Sequence, residues 1–103
     1  MHSRNRRIIG IAWYKRKDYP ALRAIMDDAH VLPADHETWL SKAYSIVLLE
    51  MALGKKIVRV TVDPGTFLAW CEATRQPVDA RARSRYVNLI IDKYGDSLQR
   101  VYG

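Results

Sequence analysis

The sequence predicts an α/β domain of the α+β-like kind: a small two- or three-stranded sheet covered on one face by about four helices, in the order β-α-α-β-α-α. Three observations carry this reading. Residues 8–14 and 55–62 are short runs rich in isoleucine and valine, whereas four other segments repeat apolar residues at helical spacing. Asp35, Asp63 and Asp79 each precede a helical pattern, where a carboxylate can accept from the free N–H groups of a first turn. The 103 residues hold no repeat, no low-complexity stretch and no linker, which predicts a single domain over 1–103.

Each element has its own justification. Residues 8–14 form β1, with Gly10 marking a bulge or the close approach of another segment. A polar turn over 15–18 leads to Pro20, suited to the first turn of α1. Leu22, Ile25, Met26 and Ala29 carry α1 to about His30, and Pro33 ends the segment. Asp35 caps α2 and Glu37 lies in its first turn, where the helix dipole favours an acid. Leu40, Ala43, Tyr44, Val47, Leu48 and Met51 form a broad stripe, widened by Trp39, Ile46 and Leu53, so α2 is expected to be the most buried helix. Gly54 stops it in the left-handed conformation.

Residues 55–62 form β2, in which Val58, Val60 and Val62 alternate with Arg59 and Thr61. One apolar and one wetter face is the pattern of a sheet covered on a single side. Asp63 and Pro64 start α3, with Phe67, Trp70, Cys71 and Thr74 on one face, ending near Arg75. Asp79 caps α4, which runs to Tyr94 with Ala82, Tyr86, Leu89 and Ile90 inward and Gly95 at its close. Residues 98–102 suggest a short strand. Two strands alone are marginal in water, so this tail, a further strand or a second copy of the chain is expected to complete the sheet. A homodimer is favoured, because the edge of so apolar a β1 is a liability when unpaired.

Composition narrows the function classes. A single cysteine, Cys71, rules out an intrachain disulfide and a zinc site of several thiolates. No apolar stretch approaches the roughly 20 residues that span a bilayer, so no membrane partner and a cytoplasmic location are expected. The net charge of +6 is unevenly spread: residues 1–23 and 75–103 are basic and the middle is acidic. Residues 1–7, with Arg4, Arg6 and Arg7, are expected to form a solvated basic tail.

Several constellations carry chemistry, each beside a structural role. The α3–turn–α4 segment suggests a helix-turn-helix, with Arg81, Arg83 and Arg85, joined by Arg7, offered to nucleic acid. It departs from that motif because the turn holds no glycine and Arg83 falls on the opposite side of α4 from Arg81 and Arg85. Asp63, Trp70, Trp39 and Trp13 are candidates to line a pocket, and Asp63 with Cys71 suggests a small enzyme. Caps, a buried thiol and core aromatics account for the same residues. Asp27, Asp28, His30, Asp35, His36 and Glu37 crowd one loop but match no metal-binding spacing, so no metal or cofactor is expected.

The residues Ala12-Trp13-Tyr14, Asp18-Tyr19-Pro20, Leu32-Pro33 before Trp39-Leu40, and Val62-Asp63-Pro64 with Phe67, Trp70 and Cys71 resemble a family of short bacterial proteins of unknown function. The resemblance covers nearly the whole chain and implies a bacterial cytoplasmic origin, with no activity attached. The expectation is therefore a non-enzymatic domain acting through protein contacts, with no catalytic residue assigned. Nucleic-acid binding and a small enzyme are the alternatives.

Overall fold

A computed structural model describes residues 8–102, with side chains described as far as Tyr94. The order is β1 (Ile8–Trp13), α1 (Tyr19–Ile25), α2 (His36–Ala52), β2 (Lys56–Thr61), α3 (Pro64–Ala73) and α4 (Ala80–Tyr102), with 3-10 turns at Arg16–Asp18 and Ala29–Val31. This is the predicted class and order. The strands pair in parallel, Ile8 opposite Lys56 and Trp13 opposite Thr61. The pairing is fixed by a crossover long enough to carry α1 and α2.

The caps lie where the carboxylates predict them. The side chains of Asp35, Asp63 and Asp79 accept from the backbone N–H of Thr38, Thr66 and Ala82 at 3.0, 2.9 and 3.1 Å. Both α2 and α3 close through left-handed residues, Gly54 at φ 85° and Arg75 at φ 57°. At each end the next N–H reaches back five residues, Lys55 to the Glu50 carbonyl and Gln76 to that of Cys71.

Four expectations change. First, α1 stops at Ile25, and Ala29–Val31 winds as a separate 3-10 turn. The break frees Asp27 and Asp28 to meet the chain before α4, which a continuous helix would prevent. Second, residues 98–102 are helical rather than a strand. Helix α4 continues past Gly95, with one non-helical residue at Tyr94 marking a kink. The sheet therefore has two strands among the described residues.

Third, helices pack on both faces. Ile8, Val58 and Val60 meet Val87 of α4 on one side, while Trp13 on the other side meets Trp39 and Tyr44 of α2. Gly10 belongs to the α4 side, where a Cβ would lie 2.5 Å from Val87 Cγ1 and 2.8 Å from Ile91 Cγ1. Its glycine is thus the close approach anticipated at this position. Gly10→Ala is expected to lower the unfolding free energy by about 1–3 kcal/mol, since two packed side chains must move. Urea unfolding at unchanged m-value checks it, and a midpoint equal to wild type contradicts it.

Fourth, α2 is not the most buried helix. Only Trp39 and Ala43 of its seventeen residues are buried. The main core instead gathers Tyr14, Tyr19, Leu22, Val62, Phe67, Cys71 and Tyr86 around them.

Candidate functional site

Helix α2 is held by its N-terminal half and left bare along the rest. Its capped first turn delivers His36 and Trp39 to an aromatic cluster. Trp39 lies 5.1 Å from Trp13, 4.8 Å from Tyr14 and 6.1 Å from Tyr19, centroid to centroid. The His36 Nε2–H donates to the Tyr14 carbonyl at 2.7 Å, and the Tyr19 hydroxyl donates to the Pro33 carbonyl at 2.6 Å. Burial pushes the Tyr14 phenol up to about 12, so it stays protonated across the physiological range.

Beyond Ala43 the helix leaves the core. Tyr44, Ile46, Leu48, Leu49, Met51 and Leu53 are all exposed, from 47% for Tyr44 to 67% for Leu48. A run of this kind is uncommon on the surface of a monomer. Glu50 is the sole charged residue between Ala43 and Leu53, and it is held by Lys55 at 3.2 Å. Between α2 and β2 a groove of about 370 Å³ is lined by Tyr44, Val47, Met51 and Ile57 together with the cationic Lys55, Lys56 and Arg59. The Arg59 guanidinium lies over the Trp13 ring, 4.8 Å from its centroid.

The residues singled out from the sequence fall in separate places. Trp13 and Trp39 touch each other, but Trp70 stacks with Phe67 and meets Tyr86. Asp63 is occupied by the backbone N–H and hydroxyl of Thr66, which hold its carboxyl below the usual range. Cys71 is fully buried, and burial pushes its thiol up, away from a reactive thiolate. Asp63, Trp70, Trp39 and Trp13 line neither the groove between α2 and β2 nor the two hollows beside α4.

Of the arginines, Arg81 and Arg85 are exposed one turn apart on α4, and Arg85 Nη1 donates to Gln76 Oε1 at 3.2 Å. Arg83 points inward instead. Its two terminal nitrogens donate to the two Asp28 carboxylate oxygens at 2.9 and 3.2 Å. Arg7 lies outside the described residues. Arg83 is therefore a structural tie and not part of an exposed basic stripe.

The acidic loop resolves into similar ties. Asp27 accepts from the Val78 N–H at 2.9 Å and Asp28 from that of Ala80 at 3.0 Å, while the Asp27 N–H donates to the Val78 carbonyl at 2.7 Å. Glu37 meets Arg16 at 3.5 Å. No cluster of three or more metal-ligating side chains occurs among the described residues, and none of their helices is long and apolar enough to cross a membrane.

Sequence reasoning assigned the bare face of α2 to the core. The available signal was that the second half of α2 is apolar nearly all round while four helices and two strands offer too little surface to enclose it. Comparison with protein-family models, curated proteins and solved structures finds no match. The resemblance to short bacterial proteins thus rests on the quoted residues.

Proposed function

We propose that this protein acts through protein–protein contacts made by the exposed apolar face of α2. The observation that carries the reading is the set of six exposed large apolar side chains between Tyr44 and Leu53, among which the one charged residue, Glu50, is paired with Lys55. Fully exposed, such a face lowers solubility and invites association, so a bound partner is the state in which it is stable. A second copy satisfies this reading, through a different surface from the β1 edge at which the sequence suggests a homodimer, and so does a different protein. Helix recognition of this kind uses side chains at i, i+3, i+4 and i+7, which Tyr44, Val47, Leu48 and Met51 provide.

The alternatives have less support. Nucleic-acid binding through α4 retains Arg81 and Arg85 but loses Arg83 to Asp28. An enzyme site at Asp63 and Cys71 has a carboxylate engaged in a cap and a thiol with no access to solvent.

The test places p-benzoylphenylalanine at position 48 in the full chain and irradiates cells that express it. The expected result is a discrete protein adduct, absent when the probe is moved to the exposed polar position Lys17. Failure to form any protein adduct, including one with the chain itself, overturns the reading.

A further inference from the structure

We infer that the occupant of this face is a second copy of the chain, packed through α2 against α2 antiparallel about a two-fold axis. The inference rests on the reading of the face as a protein interface, and adds the partner and its register.

Three features of the face point to its own copy. The first is area. Six apolar side chains at 47–67% exposure lie along the seam and on its two flanks, so a helix laid on the seam covers part of each flank, and a pair of copies buries on the order of 1,000 Å² in total, the least that a specific interface needs. The second is relief. Ser41, Ser45, Leu48 and Ala52 follow one another at spacings of four, three and four along the exposed side, as in the seam of paired helices. That spacing is the same read from either end, so an antiparallel copy sets Ser41 against the partner's Ala52 and Ser45 against the partner's Leu48. The small residues admit the large ones, and Tyr44 with Met51 and Ile46 with Leu53 flank the seam on either side. A self-complementary patch is what a two-fold interface requires.

The third feature is charge. The four seam residues are neutral, with exposed Lys42 beside them, Glu37 at the N-terminal end and Lys55 just beyond the C-terminal end. Within one chain Glu37 has only an exposed contact with Arg16 at 3.5 Å and Lys55 is held by Glu50 at 3.2 Å, so an antiparallel pair, which brings each Glu37 near the partner's Lys55, adds opposite charges to these pairs at both ends. A parallel pair would set like against like. The net charge of +6 opposes association only at long range, and physiological salt screens it beyond about 8 Å.

The test is sedimentation velocity of the purified full chain at 5–100 µM, in parallel with a Leu48→Lys, Leu49→Glu variant whose circular dichroism matches wild type. The expected result is twice the 11.9 kDa chain mass for wild type, and association weakened at least about 100-fold in the variant. A second measurement fixes the register. A chain with Ser41→Cys mixed with one carrying Ala52→Cys is expected to form a disulfide adduct under mild oxidation, while Ser41→Cys alone does not. Cys71 is fully buried and does not compete. A wild-type chain that stays single at 100 µM overturns the second copy, and so does a dimer that persists in the charged variant. In either case a photo-adduct at position 48 to another protein keeps the broader reading. A 41-to-41 adduct overturns the antiparallel register.

Discussion

Arg83→Ala is expected to lower the unfolding free energy by about 3–5 kcal/mol, a large share of what holds a domain of this size together. The side chains of Arg83 and Asp28 are only 10% and 18% exposed. The guanidinium donates to both carboxylate oxygens, and its Nη1 also lies 3.2 Å from the Met26 sulfur. Truncation leaves the partly buried Asp28 carboxylate with only backbone N–H groups, that of Ala80 foremost, to balance its charge. Removing one member of such a pair is more damaging than replacing both with apolar groups. Arg83→Met with Asp28→Leu is therefore expected to recover more than half of the loss. A single variant within 1 kcal/mol of wild type contradicts this account.

The pair also fixes a direction in pH. The hydrogen bonds from Arg83 hold the Asp28 carboxyl below its ordinary value of 3.8, with a smaller contribution from the Ala80 N–H. The unfolded chain binds this proton at a higher pH than the folded one. The stabilisation is thus complete above about pH 4 and is lost as pH falls through the lower folded-state value. Arg83→Ala is expected to flatten that acid limb, measurable as urea midpoints between pH 5 and 2.

Phe67→Ala is expected to cost about 3–5 kcal/mol. Phe67 is fully buried in α3, between Trp70 at 6.2 Å and Tyr86 of α4 at 5.3 Å, ring centre to ring centre. Rigid ring neighbours cannot collapse into the space it leaves, so a cavity adds to the lost transfer energy. Phe67→Leu, which fills most of the volume, is expected to restore more than half of the stability at constant m-value. Equal losses in the two variants contradict a packing origin.

The sequence disclosed what short-range chemistry decides. Asp35, Asp63 and Asp79 announce helix starts because a carboxylate two or three residues before a free N–H has few better partners. Gly54 announces a stop because its backbone adopts positive φ without strain. The alternation of Val58, Val60 and Val62 announces a strand because successive side chains point to opposite faces. The inward turn of Arg83 was half-legible, since helical spacing put it opposite Arg81 and Arg85. Its partner was not, because Asp28 lies 55 residues away along the chain.

The bare face of α2 was the costliest misreading. Periodicity reports which side chains are apolar and in what angular order, not how much of the helix its neighbours can reach. The same limit applies to residues 98–102, where a short apolar run fits a strand or a helix equally well.

The sequence by itself determined the elements, their order and most of their caps, because those follow from a few neighbouring residues. Only the tertiary structure decided which apolar residues are core and which are surface. That choice depends on the volume that the other helices and strands can cover, and here they cover Trp39 and Ala43 and leave Tyr44 to Leu53 open.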